Sequence, residues 1–489
     1  MNHFAQFYRQ MSAAYQAGQY EKVVEIGDFV ARTLPIDAVD RFVFHEAMAA
    51  SLLLSGRWQE ACHHFERAMR VESGAAELEK QRLFCSDFLV WLHFWPGVSD
   101  EALFAMHCLY GSLFRSIVPY THIRSKKQGL RKLRIGYLSP DLYEHVVTNF
   151  SVQLYAAYDK RRFEVYLYHL GDIANEVTEW LQGMVDGFRH LPTQSAQEIA
   201  AQIYADDIDI LVDLSGHTNK GCTLQVMAYK PAPVQVSGIG YFNTTGLAAV
   251  DYFLTDDYCD PPGNEKFFTE KLWRLSHSHF CFTPSEDVLH CRSQWQRHES
   301  VVFGSFSNFF KLNDELLTLW LRIIRQVPGS RLLLKNVRPE LREVEKMALR
   351  MQKLGYQEAE FVLRPGTKYY MDEYFDMDIA LDPYPYPGGG TTCEALYMGI
   401  PVISCYGTRH GSRFGYSLLK NIGLEELTAN TAEEYVERAV MLARSPELLT
   451  ELHHNLRAIM LASPVMDAKN YVEEIQAGYE QMYQEWLRN

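Results

Sequence analysis

The sequence predicts an α/β protein in which an all-helical stretch precedes two doubly wound parallel-sheet units in tandem. Three observations carry that reading. Residues up to about Phe94 repeat their apolar positions at helical spacing, two later series of short aliphatic runs alternate with helical stretches, and Asp378 to Gly399 reads as a buried strand, a proline-glycine loop and the opening of a helix. At 489 residues with 47% hydrophobic content, the chain has length for about three domains and apolar side chains for several cores.

The helical stretch, expected over residues 1–99, contains two segments that rhyme. Ala17-Gly18-Gln19-Tyr20-Glu21 through Val30, and Ser55-Gly56-Arg57-Trp58-Gln59-Glu60-Ala61 through Ala68, share a glycine, an aromatic two residues on, and small or apolar residues at helical spacing. This resembles the tetratricopeptide repeat, in which the glycine closes one helix and the aromatic begins the next. The glycines stand 38 residues apart against a repeat of about 34, and Val23 takes a place where the repeat has alanine. A helical connector is expected over 100–130, running from Asp100 to Phe114 and then into the basic Arg124-Ser125-Lys126-Lys127.

Beyond it the periodicity changes. Leu133 to Leu138, Phe163 to Tyr168 and Ile208 to Leu214 are strands, separated by helical stretches such as Ala196 to Tyr204. Near-continuous aliphatic runs of this kind belong to a parallel sheet covered on both faces. A second series starts at Val301 and continues through Arg331 to Lys335, Ala359 to Leu363, Ile379 to Asp382 and Pro401 to Ser404. The expected units are 131–290 and 300–489, the second ending in helices. In such a pair, ligands lie at the carboxyl ends of the strands, in the crevice between the units.

Charge and composition exclude several partners. The net charge of −14 opposes a nucleic-acid partner, and no apolar run is long enough to span a membrane. The opening MNHFAQFYRQ lacks the order of a signal peptide, and nine cysteines are scattered without a metal-binding or paired spacing, so a cytoplasmic protein with reduced thiols is expected.

Polar residues collect where the strands end. The first unit supplies Ser139-Pro140-Asp141 with His145, Ser215-Gly216-His217-Thr218, and Gly240 to Gly246. The second supplies Ser307-Asn308-Phe309-Phe310-Lys311 and the loop Gly388-Gly389-Gly390-Thr391-Thr392. A helix opened by glycine and threonine presents free N–H groups and a positive dipole end to a phosphate. Glu394, one turn in, is spaced to accept from ribose hydroxyls.

Taken together, SPDLYEH, DIDILVDLSGHT, KPAPVQVSGIGYFNTTGLAAVDYFLTD, FGSFSNFFKLNDELLTLWLRIIRQVPGSRLLLK and LDPYPYPGGGTTCEALYMGIPV resemble, in order and spacing, the protein O-GlcNAc transferase family, glycosyltransferase family 41, which includes Spindly-type enzymes. The likeness covers roughly Asp100 to Arg444. It implies a GT-B fold of two Rossmann-like domains and an inverting, metal-independent transfer from a nucleotide sugar, with UDP-GlcNAc as substrate rather than cofactor. Ser or Thr hydroxyls of a protein are the implied acceptor, and the repeats offer a surface for a partner or a second copy. It also implies a catalytic set of His145 beside the donor phosphates, Lys311 on the β-phosphate and His217 near the sugar. Asn308, Tyr370, Gly389, Gly390, Thr391, Thr392 and Glu394 form the implied nucleotide-binding set. The general base is open among His145, Asp206, Asp207 and a water chain.

The chain departs from the family pattern at three places. Gly390 stands where many members carry a threonine, Tyr370 where a histidine often meets the base, and Phe242 where the family has Gly-Tyr-Pro. Readings left open are transfer of glucose or fucose, a UDP-GlcNAc 2-epimerase-like enzyme with two doubly wound domains, and an inactive repeat-bearing interaction protein.

Overall fold

The computed structural model describes residues 3–71, 74–123, 131–291 and 294–488; the basic run at 124–127 lies outside them. Five helices open the chain: α1 (His3–Gln16), α2 (Tyr20–Thr33), α3 (Ala38–Leu54), α4 (Trp58–Met69) and α5 (Ala75–Leu92). They form hairpins where the sequence rhymes. Gly18 and Gly56 sit at φ of 71° and 81° between paired helices, and Tyr20 and Trp58 are the first residues of α2 and α4. The connector is α6 (Asp100–Ser112), capped by the Ser99 hydroxyl, which accepts from Ala102 N–H.

The first unit runs β1 (Leu133–Ser139), α7 (Val146–Ala156), β2 (Phe163–His169), α8 (Glu176–Gln182), β3 (Gly187–His190), α9 (Ala196–Ala205), β4 (Ile210–Asp213), α10 (Cys222–Met227), β5 (Val234–Ser237), β6 (Tyr252–Asp256) and β7 (Lys271–Leu275). Its strands form one parallel sheet ordered β3-β2-β1-β4-β5-β6-β7. The second runs α11 (Glu286–His290), β8 (Val302–Phe306), α12 (Asp314–Gln326), β9 (Arg331–Lys335), α13 (Leu341–Lys353), β10 (Phe361–Arg364), β11 (Ile379–Leu381), α14 (Gly390–Tyr397), β12 (Val402–Cys405), α15 (Phe414–Asn421), β13 (Thr428–Ala429), α16 (Ala432–Ala443), α17 (Pro446–Leu461) and α18 (Ala468–Arg488). Its parallel order is β10-β9-β8-β11-β12-β13. In both, the strand order reverses beside the first strand, the topological switch that opens a crevice.

Side-chain alternation decides what covers the first sheet. Ile135 and Tyr137 of β1 face a core shared with α7 and the second unit, whereas Leu138, with Tyr168 and Leu211, faces a core built with Phe88, Leu89, Leu92 and Tyr110 of α5 and α6. The N-terminal helices thus share, with α9 and α10, one of the two layers over this sheet. The other layer includes α18, which returns from the end of the chain: the Tyr137 and Tyr479 hydroxyls lie 3.3 Å apart, and Tyr252 donates to Glu485 at 3.0 Å. Within the second unit, α12 is capped by Asn313 and buries Leu316, Leu317, Trp320 and Ile324 at helical spacing. Among the described residues no helix is long and apolar enough to cross a membrane.

Candidate active site

The carboxyl ends of the two sheets meet. Asp260 of the first unit holds the His410 ring of the second at 2.6 Å, Ser417 donates to Asp256 at 2.9 Å, and Asp100 at the start of α6 takes Arg409 Nε at 2.8 Å. Between these contacts lies Tyr386, whose ring meets Phe94 of the helical region (5.5 Å), Phe242 of the first unit (4.4 Å) and Phe414 of the second (6.2 Å).

Lys311 stands over that ring, its Nζ 4.3 Å from the centroid. It is placed there by a single helical turn, Phe309–Lys311, after β8, which Asn308 caps by accepting from Phe310 N–H at 3.2 Å. Among the described residues no carboxylate forms an ion pair with Lys311. Burial lowers its pKa to about 8, against the pull of the Asp382 charge, so the ammonium form prevails at neutral pH. A desolvated cation without an ion pair is a group suited to an anion.

The glycine-threonine loop follows β11 as expected. Asp382 Oδ1 accepts from the Thr392 hydroxyl (2.8 Å) and from Gly388 N–H (3.4 Å). A Cβ at Gly388 would lie 2.4 Å from the Thr391 hydroxyl and 2.6 Å from that of Thr392, so both threonines fold back over the loop. Gly389 is the N-cap of α14 and brings no capping side chain, which leaves first-turn N–H groups for a ligand. Gly390 has a steric reason: its Cβ would stand 2.4 Å from Val146 Cγ2, across the crevice at the first turn of α7. A threonine at 390 requires a smaller neighbour at 146.

That contact brings His145 to the loop. As the N-cap of α7, its Nδ1 accepts from Val147 N–H at 3.3 Å, which leaves the proton on Nε2. Burial lowers its pKa, partly offset by Asp141, whose carboxylate is 4.0 Å away, so the ring is neutral at pH 7 and acts through Nε2 as a donor.

Glu394 is held from one side only. Tyr370 (3.0 Å) and Tyr374 (2.9 Å) both donate to Oε2, and Oε1 takes no hydrogen bond among the described residues. Burial raises the carboxyl pKa to about 7, against the two phenols that favour its charge.

His217 is not brought to this cluster. It is fully buried beneath the helical layer, where Nδ1 meets the Ser86 hydroxyl at 2.7 Å and Nε2 donates to the Thr245 carbonyl at 3.0 Å. With both nitrogens engaged and Tyr110 and Tyr241 against its faces, it is a packing histidine joining α5 to the first sheet. Asp206 and Asp207 precede β4 and so stand at the amino ends of the strands, away from the crevice; Asp206 takes Tyr168 and Arg189, and Asp207 takes Arg131. Neither is placed to accept a proton there.

Asp256, Cys259 and His279 bring donor atoms within 4.8 Å of one another, but the Asp256 carboxylate already takes the N–H groups of Tyr258, Cys259 and His279, the His279 ring and Ser417. Tyr374, Asp382 and Tyr386 complete the site without having been singled out from the sequence. Tyr370 caps and Tyr374 lies within a short 3-10 turn, Met371–Asp376, so their meeting at Glu394 is set by that turn and not by α-helical spacing.

The sequence profile of glycosyl transferase family 41 matches residues 101–283 and 281–475. The probable UDP-N-acetylglucosamine–peptide N-acetylglucosaminyltransferase SPINDLY of Solanum lycopersicum is 35% identical over 404 residues, covering 79% of this chain and 43% of that protein. The corresponding SEC protein of Arabidopsis thaliana is 29% identical over 406 residues, covering 78% and 40%. The chain thus spans less than half the length of these curated relatives. Among solved structures, a lysine-to-methionine mutant of the Thermobaculum terrenum O-GlcNAc transferase superposes with a TM-score of 0.82 at 27% identity, covering 97% of this chain and 89% of that one.

Proposed function

The chain belongs to glycosyl transferase family 41, the O-GlcNAc transferase family, and from that premise we propose that it moves GlcNAc from UDP-GlcNAc to a serine or threonine hydroxyl of a protein, with inversion and without a metal. The observation that carries the reading is the half-buried Lys311 ammonium, free of an ion pair among the described residues and set over the ring of Tyr386, four residues before the uncapped start of α14.

In this mechanism the acceptor oxygen attacks the anomeric carbon as the nucleoside diphosphate leaves. Charge grows on the diphosphate, and Lys311, the first-turn N–H groups around Gly389, Gly390, Thr391 and Thr392, and Nε2–H of His145 are the donors that stabilise it. Asn308 and Tyr370 flank the nucleotide, and Glu394 Oε1 accepts from the ribose. Because His145 donates through Nε2, the acceptor's proton leaves through a water chain rather than to this ring.

The test is calorimetric titration with UDP, GDP, UDP-GlcNAc, UDP-glucose and GDP-fucose, followed by transfer to a protein hydroxyl. UDP and UDP-GlcNAc are expected to bind. Preference for another donor reassigns the sugar, release of free N-acetylmannosamine marks an epimerase, and binding of none overturns the transferase reading. Because protein groups neutralise the phosphates, donor binding and turnover should survive excess EDTA; activity lost on chelation and restored by Mg²⁺ or Mn²⁺ would contradict the mechanism.

Glu394→Gln should weaken UDP binding while slowing bound-state transfer little, since ribose contacts change little between ground and transition states. Stability should move the other way. The folded pKa of about 7 exceeds the ordinary 4.5, so the stability tied to the protonated form is complete below pH 4.5 and is lost as pH rises through about 7. The glutamine variant should therefore melt higher than the parent at pH 8, by on the order of 3 kcal/mol, with the gap closing toward pH 4.5. A rate defect with unchanged UDP affinity would remove Glu394 from the ribose.

The acceptor route follows from the helical layer. A cavity of about 470 Å³ is lined by Tyr8, Tyr15, Glu46, Phe84, Asp87 and Trp91. Trp91, on its wall, meets Phe310 edge-on at 4.9 Å, and Phe310 is one residue from Lys311. That contact supports an acceptor polypeptide lying in this cavity.

A further inference from the structure

We infer that Asn219 is a positioning residue of the donor site: by holding both oxygens of the Asp141 carboxylate, it keeps that carboxylate off His145 Nδ1, so that the ring meets the diphosphate with Nε2–H. The inference rests on the donor reading above for its ligand and concerns the tautomer of His145 before a ligand arrives.

The loop after β4 is strained where it carries this residue. Asn219 (φ 49°, ψ 41°) and Lys220 (φ 59°, ψ 25°) are consecutive non-glycine residues in the left-handed region, followed by Gly221 at φ 66°. Such a run persists only where its surroundings over-determine it. Here the Asn219 side chain supplies the tie, because Nδ2 donates to Asp141 Oδ1 at 3.0 Å and to Oδ2 at 3.2 Å. Asp141 is 4% exposed, and the Ser215 hydroxyl adds a longer contact to Oδ2 at 3.5 Å. Its main chain is fixed independently: its carbonyl accepts from Thr148 Oγ1 at 2.8 Å, and its N–H donates to Ser139 Oγ at 3.0 Å. Only the carboxylate is left to swing.

Asp141 Oδ2 stands 4.0 Å from His145 Nδ1, beyond hydrogen-bond reach, and Nδ1 accepts instead from Val147 N–H at 3.3 Å. A carboxylate roughly 1 Å closer would take a proton from Nδ1, and the neutral ring would then present a lone pair at Nε2. A lone pair repels the charge that grows on a leaving diphosphate, where an N–H stabilises it. Among the described residues, the titratable groups facing His145 are Asp141, whose charge acts on the ring, and Tyr143, whose ring centroid is 5.4 Å away and which burial keeps neutral. The position of the Asp141 carboxylate therefore sets which nitrogen carries the proton.

Asn219→Gly removes the amide and suits the left-handed backbone, so the variant should fold. Nitrogen NMR of ligand-free protein carrying isotope-labelled histidine, with the His145 signals identified by their loss in His145→Ala, reports both tautomer and titration midpoint. The parent should show Nε2–H and a midpoint below the ordinary histidine value. In Asn219→Gly the proton is expected on Nδ1, with the midpoint raised by about one pH unit. Single-turnover transfer should fall by about 10²-fold, the loss of one donor to the leaving group. Asn219→Gly combined with Asp141→Asn lacks the carboxylate and should keep the midpoint at or below the parent's, and Asn219→Gly should cost no further transfer in His145→Ala. An unchanged tautomer and midpoint in Asn219→Gly, the same rise without the Asp141 charge, or an equal added loss in His145→Ala overturns the inference. If tautomer and midpoint move as expected but neither parent nor variant binds UDP, the donor reading fails while the hold of Asn219 on Asp141 stands.

Discussion

Lys311→Ala is expected to lower single-turnover transfer by about 10²–10³-fold, the loss that follows removal of one preorganised donor to a developing oxyanion. Its melting temperature should stay within a few degrees of the parent's, by about the margin of an ordinary surface change. The two effects separate for a physical reason. In the folded protein the ammonium is desolvated over Tyr386 and its pKa is depressed to about 8, so it contributes little to holding the turn that carries it. That turn is fixed by Phe309, which is 6% exposed, and by the Asn308 cap. When the diphosphate leaves, the same desolvation strengthens the attraction, because little water screens it. Parallel transfer and melting measurements decide the matter, and near-parental transfer would take Lys311 out of the mechanism.

A chain that begins at Asp100 should fail to fold, whereas one that begins at Gly74 should fold and bind UDP. The difference is α5. Starting at Asp100 strips Phe88, Leu89 and Leu92, at most 3% exposed, from the core of the first sheet, a loss of about 1.5–3 kcal/mol for each. It also removes Ser86 from His217 and His93 from Asn243 (3.3 Å), leaving buried polar atoms without partners. The sum reaches the whole stability of a typical domain, about 5–15 kcal/mol. Starting at Gly74 keeps those contacts and gives up α1 to α4, including the stack of Phe65 on Phe88 at 4.3 Å and the Ala68 and Val71 carbonyls that accept from the buried Gln81 amide, so a lower but cooperative melt is expected. Circular dichroism and melting curves distinguish the two chains. The shorter loss should also cost transfer to the protein acceptor while sparing UDP affinity. Full-rate modification by the folded chain from Gly74 would show that α1 to α4 are structural only.

Much of this protein is legible in local pattern. Aliphatic runs alternating with helical stretches specify two doubly wound units, because a strand buried on both faces has no room for polar side chains. Gly18 with Tyr20 and Gly56 with Trp58 mark helix ends and starts, because a left-handed turn and an apolar first turn are properties of a few adjacent residues. Strand ends then collect Lys311, the Gly388–Thr392 loop and Glu394 by the rule that ligands meet the carboxyl edges of parallel sheets. The same rule selects His217 with equal force, and there the ring packs under the helical layer. His217 also follows a strand, and while its loop bonds Asp141 through Asn219, its ring is turned to Ser86 of the covering helix, 131 residues earlier in the chain. Tertiary packing likewise set aside Asp206 and Asp207, assigned Gly390 its purpose through Val146, gathered Phe94, Phe242 and Phe414 around Tyr386, and carried α18 back onto the first sheet. The sequence by itself determined which side chains stand at strand ends, since that depends on neighbours a few residues away. Only the tertiary structure decided which of them meet, since that depends on how whole layers cover each sheet face, and such contacts join residues as far apart as Ser86 and His217, 131 positions, and Tyr137 and Tyr479, 342 positions.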